Sequence, residues 1–490
     1  MHGYTNVTYK TGSRFSRRFS TWRVFHISKP IGVTALAAAV ITLFAGWYLV
    51  NANAQNAVRD KDGLEHGYVP FADAPISYRT HPIDDPVKRL QDRLDAGKVK
   101  LEYEPQNGYL RSVLKLLTIP VDSQTLVFSK TSFQYKKISP EYPRALYFND
   151  DVYIGKVHDG AGIEVVSFDA NQGAIFYLLD EHKTAHPTFK RVDLECTQCH
   201  IAANTRGVPG VFLRSIYTRD SGEQEPATKS YVTDQDSPFN ERWGGWYITG
   251  KYNGFQNMGN AATEENKTGA VEKDVNLHIL TPKFNSSEYL IPDSDIVAHL
   301  VLAHQTQMHN LITLANYRTR LALFAQQNNT SGAAQNNPSA VINALQRPVD
   351  QLLRYLLFAN ETPLPQPIGG SSNYEKDFSA RGPRDSKGRS LRDFDLQKRI
   401  FRYPCSYLIY SEDFDAIPEP TKGYIYHRLF EIFTGKDQGD EFARLSAEDR
   451  RAILEILLET KAGLPEEWRN YAKFNHILLA ANRPLVSRKG

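Results

Sequence analysis

The first strong pattern in this chain is an apolar run with no charge, residues 31–50. At about 1.5 Å per residue it would extend about 30 Å, the hydrocarbon thickness of a bilayer, and it predicts a transmembrane helix. Residues 51–80 read as a polar tether with Pro70 and Pro75. Over 84–96, Val87, Leu90 and Leu94 recur at helical spacing, and 107–119 predicts a second short helix. From 124 to 178 the period shortens. Runs at 125–129, 145–148, 152–155, 163–168 and 174–178 are separated by turn-forming residues at 149–151, 158–160 and 171–173, which predicts a small antiparallel sheet. The helical period returns over 295–318, with Ile296, Leu300, Ala303, Leu311 and Leu314 near one face. Further helices are predicted over 338–358, 424–433 and 446–460, the last opened by Ser446 with Asp449 as an N-cap pair. A Gln/Asn-rich loop at 326–338 and a Pro/Gly/Ser-rich stretch at 360–390 lie between elements. The expected class is α+β: an N-terminal transmembrane helix, a small antiparallel β region in 81–190, and a mainly helical C-terminal part, 326–490.

Charge sharpens the N-terminal reading. The chain has 58 basic and 55 acidic residues, a net charge of +3. Six of the basic residues (Lys10, Arg14, Arg17, Arg18, Arg23 and Lys29) fall in 1–30, which has no Asp or Glu. What remains is slightly acidic, and this disfavours a nucleic-acid-binding body. A basic arm before an apolar span is retained in the cytoplasm by the positive-inside rule, so 1–30 is expected inside and the body exported to the periplasm from an inner-membrane anchor. Two other readings stand: cleavage at the small residues Ala52-Asn53-Ala54, which frees the body, and an Arg- and Ser-rich mitochondrial presequence facing the body to the intermembrane space.

Only three cysteines occur, too few for a disulfide framework. Two of them stand in Cys196-Thr197-Gln198-Cys199-His200, the C-x-x-C-H pattern of covalent haem c attachment. Two thiols add across the two vinyl groups of one porphyrin, and the adjacent His supplies an axial nitrogen to the iron. At these cysteine and histidine frequencies a chance match is on the order of 0.0005. A zinc site would need four ligands, and Cys405, in an apolar context, is the one further thiolate. A thioredoxin-like dithiol would follow an apolar strand and open a helix, which 191–195 does not suggest. On this motif the sequence resembles the c-type cytochromes, which implies one covalent haem and redox chemistry. The stretches Ala145-Leu146-Tyr147-Phe148-Asn149-Asp150 and Arg242-Trp243-Gly244-Gly245-Trp246-Tyr247 resemble those of large, uncharacterised membrane-anchored monohaem c-type proteins, a likeness that carries no activity.

Within the haem-binding region, 191–325, the loop Thr205-Arg206-Gly207-Val208-Pro209-Gly210 is expected to hug the macrocycle, with Arg206 or Arg214 pairing a propionate. Trp243 and Trp246 flank two glycines suited to close approach or to core packing. The sixth iron ligand decides function: a firm Met or His makes a carrier, an open position permits ligand chemistry. Met258, in a Gly/Asn-rich loop 58 residues past His200, is the leading candidate, with His304 and Met308 on one helix face behind it. The expected function is electron transfer between donor and acceptor proteins, including quinol-linked membrane complexes. The alternatives are a peroxidase- or oxidase-like haem enzyme, for which a body far larger than a bare carrier argues, and a haem-based sensor.

Overall fold

The computed structural model describes residues 69–226, 228–252, 254–263, 277–279, 284–328, 338–475 and 477. The basic arm, the span expected over 31–50, the site at 52–54 and most of the 326–338 loop lie outside them. Residues 69–80, grouped with a tether by sequence, are packed: Val69, Ile76 and Tyr78 are fully buried, and the Tyr78 hydroxyl donates to Ala174 O at 2.7 Å.

Helix α1 (Pro86–Asp95) starts where Asp85 Oδ1 accepts from the Val87 and Lys88 amides, with Pro86 in its first turn. Helix α2 spans Leu110–Leu116. The runs that follow become β1 (Thr125–Val127), β2 (Arg144–Phe148), β3 (Val152–Lys156), β4 (Gly162–Asp169) and β5 (Gly173–Asp180). With β6 (Phe189–Arg191) they pair antiparallel in sequence order. Helix α3 (Leu194–His200) follows β6, then the ribbon β7 (Leu213–Ile216) and β8 (Ser230–Thr233). Strand β9 (Trp246–Tyr247) returns to pair with β1, so the sheet has seven strands and closes with residues from beyond the cysteine motif. Strands β10 (Ala261–Thr263) and β11 (Leu277–Ile279) form a separate pair.

Strand alternation sends two sets of side chains to two buried faces. Tyr147, Ile154, Val165 and Tyr177 lie in one cross-strand row and pack against α1 and α2 through Val87, Leu90, Leu110 and Val113. Phe148, Tyr153, Val166 and Phe176 form the opposite row, which faces the motif helix and the C-terminal helices.

Helix α4 (Ile296–Asn328) runs 33 residues, about 50 Å, through the protein. The sequence pattern suggests one apolar face, yet almost every residue from Ile296 to Tyr317 is buried. Most of its polar side chains are met by distant segments. His304 bonds Gln235 and Ser406, Gln305 donates to Tyr153, Asn310 bonds Val211, and Tyr317 donates to Gln172 O.

The C-terminal part is helical as expected: α5 (Pro338–Leu356), α6 (Tyr374–Ala380), α7 (Glu412–Asp415), α8 (Thr421–Phe433), α9 (Ala447–Thr460) and α10 (Glu466–Phe474). Ser446 Oγ accepts from the Asp449 amide at 3.0 Å, the anticipated cap. These helices and α4 share one apolar cluster around Leu353, Leu429, Ile453 and Trp468.

The mixed α+β class holds, but the described residues show no membrane span to go with it, and the segment expected to form one, 31–50, lies outside them. Among the described residues no helix is long and apolar enough to cross a membrane. The longest, α4, carries His299, His304, His309, Gln305, Gln307 and Asn310 along its length, side chains that need protein partners and would be costly in hydrocarbon.

Candidate cofactor-attachment site

Helix α3 is seven residues long, which places Cys196 and His200 four apart on one face and Cys199 one position from His200. Its faces differ in depth. Leu194 is 63% exposed and Cys199 is exposed, while Thr197 is buried. Cys196 is half-buried against the cluster of Phe168, Ala174, Phe176 and Val211. Burial first, then the Glu164, Glu195 and Asp193 carboxylates, push its thiol up to about 11. A short strand, Phe189–Arg191, does precede the motif helix, but 191–195 is not the apolar strand a dithiol motif follows, in line with the sequence expectation. That strand is a three-residue edge strand of an antiparallel sheet, and the raised thiol is the reverse of the activated thiolate that dithiol exchange requires.

His200 carries the decisive geometry. Its Nδ1 lies 2.9 Å from Gly210 O, and since a carbonyl only accepts, Nδ1 holds the proton. Nε2 then keeps its lone pair and has no hydrogen-bond partner. The ring is flanked by Phe176 at 5.1 Å and Phe212 at 5.8 Å between centroids. Burial holds the imidazole below its ordinary titration range, so it is neutral, as an iron ligand must be.

The loop after α3 fixes Gly210. A short 3-10 turn at Ala203–Thr205 leads to Arg206 at φ 59° and Gly207 at φ 75°, a tight reversal. The Gly210 amide donates back to His200 O at 3.0 Å, and the buried Thr205 hydroxyl lies 2.8 Å from Val208 O. The reversal is seated on α4: Asn310 Oδ1 accepts from the Val211 amide at 3.1 Å and Nδ2 donates to Val211 O at 2.8 Å. A side chain at 210 would collide with the Asn310 amide, so glycine there is a packing requirement. Arg206 Nε donates to Gln307 Oε1 at 3.3 Å, and Gln307 Nε2 donates to Asn204 O, so Arg206 braces the loop on α4.

The distal candidates are engaged elsewhere in the fold. Met258 is buried with its sulfur 3.6 Å from Ser215 Oγ, and its methyl packs under Gly244. His304 uses both ring nitrogens, Nδ1 to Gln235 Oε1 at 2.6 Å and Nε2 to Ser406 Oγ at 2.8 Å, and stacks on Phe358 at 4.5 Å. Met308 is fully buried in the large C-terminal cluster. Trp243 and Trp246 pack into that cluster too, so they serve the core. Arg214 bonds Ser230 and Gln224 on the β7–β8 ribbon.

The chain matches no family model, no curated protein and no solved structure. The cofactor assignment therefore rests on the motif and its surroundings.

Those surroundings fit a flat, apolar, covalently held group. Two thiols, a free imidazole nitrogen and the rings of Phe176 and Phe212 lie together beside an exposed leucine. A zinc site fits less well, because Cys405 is buried in the C-terminal cluster and no three His, Cys, Asp or Glu side chains converge among the described residues. Sequence reasoning missed the Gly210 carbonyl, the Asn310 seat and the Arg144–Glu164 ion pair on the motif-facing side of the sheet. The Phe176 ring could have been found: alternation along 163–178 places Val166, Phe168 and Phe176 on one face.

Proposed function

We propose that this chain is an exported c-type redox protein carrying one haem through thioether bonds at Cys196 and Cys199, with His200 Nε2 on the iron. The observation that carries the reading is the His200 Nδ1–Gly210 O bond, which leaves Nε2 free and aims it beside an apolar shelf. When bound, the group supplies a one-electron iron couple. The chain's own residues do the rest. Gly210 O holds the proton at Nδ1 and fixes the ring, Phe176 and Phe212 flank the imidazole and would keep water from it, and the exposed α3 edge at Leu194 and Cys199 would offer a short path to donor and acceptor proteins. Attachment of c-type haem takes place outside the cytoplasm, which is the basis for an exported body.

A second reading, an iron with an open sixth position that binds small molecules, is favoured by the engagement of both His304 nitrogens and of the Met258 sulfur. One experiment addresses both. The purified full chain, expressed with haem-attachment machinery, is examined optically when oxidised, reduced, and reduced with carbon monoxide. A c-type spectrum lost on Cys196→Ala with Cys199→Ala is expected. A large carbon monoxide shift selects the open iron, and no shift selects the carrier. A chain without covalent haem overturns the proposal.

A further inference from the structure

A second cluster lies on the same sheet face as α3, beyond Tyr153. Asp150, in the β2–β3 turn, is ion-paired with Arg392 Nη2 and lies 3.7 Å from Arg381 Nη1. The Arg392 guanidinium is sandwiched 4.6 Å from the Phe378 ring and 4.2 Å from the Tyr407 ring, and Arg381 stands 5.3 Å from Phe378. Both arginines therefore meet at one carboxylate and one aromatic ring. Tyr374, one turn before Phe378 on α6, packs its ring against Phe148 at 5.8 Å. Gly382, at φ 85° just past α6, lets the chain fold tightly over the Arg392 stem.

Three enclosed donors in this cluster have no hydrogen-bond partner, Arg392 Nη1, Arg381 Nε and the Tyr374 hydroxyl, against one enclosed acceptor left without one, Asp150 Oδ1. Arg392 is only 7% exposed and Tyr374 fully buried, so these groups lack bulk water as a substitute. The charges do not balance either. Two guanidinium groups share the Asp150 carboxylate, the adjoining Asp151 carboxyl is pushed up to about 7 by burial and by Asp413 and Asp150, and the neighbouring His309 and Asp413 are committed to each other at 2.9 Å. Yet the side chains of Asp150 and Arg381 remain 33% and 29% accessible, so the cluster can be reached from outside.

We propose that Arg381, Arg392 and Tyr374 hold a carboxylate. A single carboxylate would supply a negative charge and acceptors for the unpartnered guanidinium nitrogens, and the tyrosine hydroxyl would donate the third hydrogen bond. A phosphate would bring a second negative charge beside Asp150. The carboxylate has two possible sources, a small free acid or a propionate of the haem group. Only the second rests on the reading of the motif given above.

The test titrates the full chain with sodium acetate against sodium chloride at matched ionic strength, following the thermal midpoint. It is run on the chain as produced and on the chain with Cys196→Ala and Cys199→Ala. Acetate should raise the midpoint saturably in the chain without the two motif cysteines. Arg381→Gln should weaken that response by about tenfold, Tyr374→Phe less, and Arg384→Gln, which removes a charge paired with Asp393, not at all. The same saturation in the haem-carrying chain assigns the site to a free acid. Silence to acetate there, with a midpoint potential moved by Arg381→Gln and not by Arg384→Gln, assigns it to a propionate. If acetate equals chloride in both chains and Arg381→Gln leaves the potential unmoved, the proposal is overturned. A chain produced without haem defeats the functional reading alone, because its acetate titration still decides the site.

Discussion

Replacing Asn310 with alanine should destabilise the protein and loosen the motif at the same time. In the native fold its amide satisfies both backbone groups of Val211, at 3.1 and 2.8 Å, deep under the loop that ends at Gly210. Alanine strands one N–H and one C=O in a place where Asn310 itself is fully buried. Each stranded group costs about 1–3 kcal/mol, and the lost desolvation of the amide offsets part of it, so a net loss of about 2–4 kcal/mol is expected. A unit as long as Arg59–Gly490 shifts its melting point by only about 1 °C per kcal/mol, so urea denaturation is the better measurement. Gly210→Ala probes the same seat from the other side, because its methyl would strike the Asn310 amide and lie 3.2 Å from Thr205 Cβ. Removing the amide makes room for the methyl, so the double variant should lose less than the two single losses combined. Strict additivity, or an Asn310→Ala loss below about 0.5 kcal/mol, would show that the reversal after His200 is not held by this contact.

Other consequences can be checked singly. Burial lowers His304 from 6.5 to about 3, so its neutral state contributes stability that is present above pH 6.5 and lost as pH falls toward 3. The stability gap between the wild type and His304→Gln should therefore narrow by about 2 kcal/mol between pH 7 and pH 5 in urea titrations, with the visible spectrum unchanged. Gly382→Ala forces a β-carbon into a φ of 85° and to 2.9 Å from Arg392 Nε; a loss of about 1–3 kcal/mol and a weaker acetate response are expected. Ser446→Ala removes the cap bond of α9 and should cost about 1 kcal/mol by the same denaturation assay.

The parts of this fold that repeat over short distances were legible. Strands β2 to β5 appear where alternation and turn residues put them, and α1 and α9 begin within two residues of their predicted starts, at the acceptors Asp85 and Ser446. What escaped depends on distant partners. Helix α4 has too many polar residues to be read as buried, since Gln235, Ser406, Asp413 and Val211, which satisfy them, lie 69 to 104 positions away. The packing of 69–80 rests on three scattered apolar residues, Val69, Ile76 and Tyr78, that form no period. At the motif, two thiols and a histidine carry a residue signature, whereas the Gly210 carbonyl that orients the ring is backbone and leaves none. His304 and Met258 looked free because sequence shows a donor atom without showing what already occupies it.

The central helix also predicts where this coding sequence can tolerate changes in length. A one-residue insertion in α4 turns everything downstream by about 100° and advances it by about 1.5 Å. Inserted just before His304, it would misalign His304, His309, Asn310 and Tyr317 with their separate partners in a single step. Deep scanning of in-frame insertions and deletions should therefore find a sharp forbidden window across 299–317. The surface turn around Gly388, where an added β-carbon meets nothing within 4 Å, should accept extra residues.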